Sequence, residues 1–206
     1  MGNLDSIKDI WKNQGESNIR FTQDDIQGMV QKKSSSIVKW ILIISLLEFI
    51  LPNLAFVFTD FKATKLFYEK FGLENTMNFY GLLHIVIILG FIYIFYKNYK
   101  NISTESNVKI LLTNILKTRS TVKYYVYYNL TIMGIIGLHM FYVVYNSPQF
   151  LQELPDNSNM VMIWIISITL LLVTLLIFWL FYRIIYGFLL KKLKKNYAEL
   201  SSKDLL

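Results

Sequence analysis

The chain has no cysteine, two histidines and only three prolines in 206 residues. The absence of cysteine excludes disulfides, thiolate metal sites and cysteine nucleophiles. The two histidines, His84 and His139, fall in neither a His-x-x-x-His nor a Glu-x-x-His pattern, so no metal ligand, cofactor or catalytic residue is assigned. A signal peptide is also missing. The first three dozen residues are polar and mixed in charge, with no short apolar core or small-residue cleavage site, and the amino terminus is expected to be retained. Gly2 with Ser6 fits the loose myristoylation pattern, an anchor that membrane spans would make redundant.

What the chain does have is apolar residues, 54% hydrophobic and 16% aromatic with 17% charged, and a mean hydropathy of +0.39. This composition implies an all-α polytopic membrane protein, a four-transmembrane-helix bundle with polar ends and short cytoplasmic amphipathic helices. The sharpest change is at Lys32-Lys33-Ser34-Ser35-Ser36-Ile37-Val38-Lys39-Trp40, where a polar head gives way to the apolar run Ile41 to Phe58. Cationic and indole side chains of this kind suit the cytoplasmic face of a bilayer. Spans are predicted near 38–58, 79–96, 125–145 and 160–182, each of about 20 residues as a bilayer requires.

Lysine and arginine positions set the predicted orientation. Six lie in the head, six between spans two and three, and six in the tail. The first outer loop holds Lys62, Lys65 and Lys70, and the second holds none. Basic residues concentrate on the cytoplasmic side, so both termini are expected there. The same pattern explains the net charge of +7 as a topology signal and not as a nucleic-acid surface. Aromatic residues agree: Phe91, Tyr93, Phe95 and Tyr96 end span two where Tyr124, Tyr125, Tyr127 and Tyr128 begin span three.

Three segments are read as cytoplasmic: a head over 1–36, a loop over 103–122 and a basic tail over 191–206, around a transmembrane domain over 37–190. In the head, Leu4, Ile7, Ile10 and Trp11 form one helical stripe, and Ile26, Met29 and Val30 form a second leading to a lysine-serine hinge. Both stripes either lie on the membrane surface or pack on the protein's own cytoplasmic loop, or else Trp11 and its neighbours bind a cytoplasmic partner. In the loop, Val108, Leu111, Leu112, Ile115 and Leu116 share a face bordered by Lys109, Lys117 and Arg119, the pattern of an interfacial helix resting on membrane lipid. Beyond span four, Ile184, Ile185, Phe188, Leu189 and Leu193, with Lys191, Lys192, Lys194 and Lys195, repeat it in a tail helix.

Polar residues inside the spans are the remaining candidates. Glu48 lies eight residues beyond Trp40, about 12 Å along a helix, where a carboxylate must be neutral, paired or in a wet cavity. Counting residues from the span ends puts His84 and His139 at matching depths, with Asn53 nearby and Pro52 able to bend the first span. A cluster of Glu48, Asn53, His84 and His139 is therefore geometrically allowed, either as a hydrogen-bonded lock between helices, with Glu48 protonated or paired with histidine or a tyrosine hydroxyl, or as a site that relays protons, coordinates a metal or binds a small polar ligand. Gly134 and Gly137 allow close helix approach and are compatible with a homo-oligomer.

Several of these stretches together, Leu4 to Trp11, Phe21 to Met29, the Lys32 to Ile41 boundary, Glu48-Phe49 and Lys117 to Asn129, resemble a group of small four-span membrane proteins from Flavobacterium-like Bacteroidota. The resemblance implies a bacterial inner-membrane location. Members often carry the label beta-carotene 15,15'-monooxygenase, and the resemblance also implies a regulatory role with a sigma factor as partner. The oxygenase label requires a four-histidine iron site on a large propeller, and this chain has neither the histidines nor the length outside its spans. The expectation is thus a regulatory or interaction protein whose head binds a partner, with a membrane enzyme or carrier at the Glu48 cluster, or a structural envelope protein, as alternatives.

Overall fold

The computed structural model describes residues 23–58, 62–105 and 107–201. The stripe Leu4, Ile7, Ile10 and Trp11 lies outside them. The described chain is helical throughout its elements: α1 Gln23–Phe58, α2 Lys62–Lys70, α3 Glu74–Thr104, α4 Val108–Tyr145, α5 Pro148–Glu153 and α6 Met160–Ser201. Helices α1, α3, α4 and α6 are long and apolar enough to cross a membrane, making this a multi-pass membrane protein and an all-α bundle. In the bundle α1 packs on α3 and α6, and α4 packs on the same two. Consecutive spans are therefore antiparallel neighbours around a square.

Each span is longer than a bilayer needs. Lengths of 36, 31, 38 and 42 residues correspond to about 46 to 63 Å of helix, against about 30 Å of hydrocarbon. The excess lies at one end, called here the basic end, where α1 begins, α3 passes into α4, and α6 finishes. The far end carries α2, α5 and the links beside them.

One spacing unites the four helices. Val30, Ser34, Ile37 and Ile41 on α1 recur in alternating four- and three-residue steps, as do Ile88, Phe91, Phe95, Asn98 and Ile102 on α3. Leu111, Ile115, Thr118, Val122 and Tyr125 on α4 keep the same steps, and so do Tyr182, Tyr186, Leu189, Leu193, Asn196 and Leu200 on α6. This heptad spacing gives each helix one seam facing its neighbours, the pattern of knobs-into-holes packing.

The seam changes the reading of the three amphipathic segments. The 103–122 stretch is no loop helix on lipid. Helix α3 ends at Thr104, Asn107 Oδ1 accepts from the N–H groups of Lys109 and Ile110 at 2.9 and 3.2 Å, and from Val108 the stretch is the first half of α4. Leu111 and Ile115 are completely buried. The lysine-serine segment is not a hinge either, because α1 runs through it unbroken and buries Ser34, which accepts a hydrogen bond from Asn196 Nδ2 at 3.0 Å. Likewise the tail continues α6 to Ser201, with Leu193 buried between exposed Lys192 and Lys194. An amphipathic pattern reports that an apolar face must be covered, not by what. Part of each stripe is covered within the bundle, through Val30, Leu111, Ile115 and Leu193, as packing of the head on the protein's own loop would have it, while Met29, Leu116, Ile184 and Phe188 stay exposed.

Outside, the two halves differ. Between Trp40 and Leu54, Phe79 and Tyr96, Tyr124 and Tyr142, and Val161 and Phe188, large apolar side chains face outward, among them Leu82, Val161 and Leu170, each at least 65% exposed. This belt meets lipid. Below it the bundle has a dry seam and a charged exterior, as a water-soluble bundle has.

If the segment starting at Val108 belongs to the packed bundle, Leu111→Ala and Ile115→Ala should each lower unfolding stability by roughly 2–4 kcal/mol. Leu116→Ala, at a position 41% exposed, should cost well under about 1 kcal/mol. Thermal or denaturant unfolding in detergent measures both. A helix lying on lipid would give three small, similar effects.

Candidate functional site

Glu48 continues the α1 seam seven residues beyond Ile41. Its Oε2 accepts hydrogen bonds from the Tyr125 hydroxyl of α4 at 2.6 Å and the Tyr186 hydroxyl of α6 at 3.2 Å, while Oε1 is buried without a hydrogen-bond partner. Tyr125 is the hub of the ring packing, in edge contact with Phe91 and Phe95 of α3 and with Tyr182 and Tyr186 of α6. One carboxyl thereby ties three helices. Four residues on, Pro52 has no N–H to give to the Glu48 carbonyl. In the following turn, Asn53 Nδ2 donates back to the Phe49 carbonyl at 2.6 Å.

Beyond this layer the seam is poorly filled. Its positions become Pro52 on α1, Gly81 and His84 on α3, and Asn129 on α4. A Cβ added at Gly81 would meet nothing within 4 Å. The result is a cavity of about 750 Å³ whose polar lining includes Asn53, Asn78, Tyr80, His84, Asn129 and Tyr182, with Met133, Ile136 and Phe178 among its apolar walls. Tyr68 of α2 also lines it. The link that carries Tyr68 turns at Gly72, with φ of +65°, and is joined to α5 by Lys70 Nζ, 2.7 and 2.9 Å from the two carboxylate oxygens of Glu153. On the other side of the bundle the helices close up: a Cβ at Gly137 would stand 2.8 Å from Leu171 Cδ1, and Gly134 faces Leu175. These two glycines seat α6 within the chain.

The expected cluster of four is divided. Asn53 and His84 share the cavity. Glu48 stands on the adjoining layer, held by tyrosines. His84 Nδ1 lies 3.3 Å from the Tyr128 hydroxyl with the rings stacked at 14°, whereas His139 meets Tyr80 edge-on. Tyr128 and His139 are eleven residues apart on α4, about 16 Å along the axis, so the two histidines are not level. Counting from span ends failed because α3 begins at Glu74, before Phe79, and the connecting helices shift the ends relative to one another. Among the described residues no three His, Asp or Glu side chains converge in a way that could hold a metal ion. A tyrosine hydroxyl is among the partners the sequence allows Glu48, but which tyrosines, Tyr125 and Tyr186 with Tyr182 beside them, and the place of Asn129 come from the structure. The heptad phase that carries Ile115 to Val122, Tyr125 and Asn129 would have found two of them.

The fold and site define a class: a multi-pass four-helix membrane protein, tightly packed at its basic end and hollow towards its far end. Within that class the chain belongs to the DUF8845 family, described as a domain of unknown function, whose model matches residues 24–205. No curated protein and no solved structure matches it.

Replacing Glu48 by leucine strands two tyrosine hydroxyls and should cost roughly 2–4 kcal/mol of unfolding stability, since each unsatisfied buried hydroxyl costs about 1–3 kcal/mol. Glu48→Gln keeps an acceptor oxygen and should cost under about 1 kcal/mol. Unfolding of the purified variants in one detergent compares them, and a leucine variant as stable as its parent would contradict the lock.

Proposed function

We propose that the protein is a regulatory membrane protein that takes a small amphipathic molecule into the far-end cavity and conveys occupancy to its basic end. The observation that carries this reading is the division of one seam into a packed half and a hollow half, with Glu48 and its tyrosines between them. Amide, imidazole and phenol groups beside methionine, isoleucine and phenylalanine walls suit a ligand with one polar end and an apolar body. Tyr182 couples the two halves, because it lines the cavity and its ring packs on Tyr125 and Tyr186.

In this reading the membrane is a bacterial inner membrane and the basic end is cytoplasmic, as the lysine distribution favours. The family match covers the bundle and starts at residue 24. Binding of a partner such as a sigma factor through Leu4, Ile7, Ile10 and Trp11 would then be an output added by the head to a function held in the bundle. An enzyme or carrier working through Glu48 and both histidines has less support, because Glu48 is engaged by tyrosines and His139 lies against Tyr80.

Gly81→Trp tests the cavity without disturbing the seam below, since open space surrounds the Cβ position. Native mass spectrometry of protein extracted in mild detergent should show a co-purifying small molecule on the parent and none on the folded Gly81→Trp variant. Identical spectra from the two proteins would contradict ligand uptake.

A further inference from the structure

A second recess lies at the basic end, outside the cavity and independent of it. Between α3 and α4 a groove of about 620 Å³ runs from Tyr93 and Tyr124, at the edge of the lipid-facing belt, past Lys97 and Lys117 to Asn98 and Asn114. From Tyr124 to Thr113, another of its residues, is about 16 Å along α4, so the groove starts at the membrane surface and leads away from it.

Its composition is selective. Asn98 and Asn114 are more than nine-tenths buried, yet both line the groove and so give it fixed amide groups at its floor. Lys97 and Lys117 are exposed at its walls, and no aspartate or glutamate is among its lining residues. Tyr93 and Tyr124 are 64% and 67% exposed at its mouth, the depth where aromatic rings flank lipid headgroups and upper acyl chains. Two ammonium groups answer a phosphate ester. The Asn98 amide is held by Thr121 Oγ1 at 3.5 Å, and the Asn114 amide with the Ser120 hydroxyl answers the polar alcohol of a headgroup.

We propose that this α3–α4 groove is a binding site for the headgroup of an anionic phospholipid, with the acyl chains leaving past Tyr93 and Tyr124 into the surrounding bilayer. The shared chemistry is an anionic phosphate ester. The bilayer is the source to which the geometry commits, since the groove opens where the apolar belt ends. Diffuse attraction of acidic lipid to any basic surface would not distinguish these lysines from those of α6.

The test uses the full chain in detergent with phosphatidylglycerol added, and counts lipid retained by native mass spectrometry. The Lys97→Gln/Lys117→Gln double variant should retain lipid about ten-fold less well. Lys191→Gln/Lys194→Gln, with the same charge removed from α6, should match the parent. Both pairs are exposed, and unchanged thermal unfolding confirms that each variant is folded. Equal losses in the two double variants would overturn the site in favour of diffuse surface charge. A parent that binds glycerol 3-phosphate as tightly as phosphatidylglycerol would overturn the lipid assignment in favour of a soluble phosphate.

Discussion

One heptad seam passes through two solvents, and Glu48 is the residue on it where the change of regime occurs. At the basic end the seam excludes water in the ordinary way, with apolar knobs covered and charged side chains outside. In the lipid-facing half no hydrophobic gain accompanies helix association, because hydrocarbon already surrounds the outer faces. Packing and hydrogen bonds must hold the helices there. The Glu48, Tyr125 and Tyr186 layer supplies bonds between helices at the start of that half, and the Gly134 and Gly137 contact with Leu171 and Leu175 supplies close packing further on.

With those two fastenings in place, the helices stay together while the space between Asn53, His84, Asn129 and Tyr182 stays open. Pro52, Gly81 and Asn129 then leave space that large apolar residues would have filled. The cavity is thus a consequence of where the seam stops being occupied by bulky side chains. Buried polar residues in the basic half have a different use: Ser34 with Asn196 and Asn98 beside Thr121 sit at seam positions, where polar contacts fix the register of neighbouring helices.

Much of this was legible in the residues. Four apolar runs gave the number of spans, and the lysine-serine boundary marked where α1 leaves the charged region. The structure differs where a pattern had two physical readings. A stripe such as Leu111 and Ile115 satisfies a lipid surface or a helix neighbour equally well, and only its continuity of phase with Tyr125 and Asn129 distinguishes the two. Depth was misjudged for His84 and His139 because residue counts from span ends carry no information about how far each helix projects. Which tyrosines partner Glu48 was harder to see, since Tyr125 stands among Tyr124, Tyr127 and Tyr128 and resembles the rest of an aromatic belt.

The division of one seam into a packed half and a hollow half is tested most directly by cysteine accessibility, which the cysteine-free sequence makes clean. Single variants Ile115→Cys and Leu193→Cys place the thiol in the packed half, and Asn129→Cys places it in the cavity. With a small neutral maleimide and folded protein in detergent, Asn129→Cys should label, while Ile115→Cys and Leu193→Cys should label only after unfolding. Labelling of Ile115→Cys in the folded protein as fast as Asn129→Cys would contradict the account.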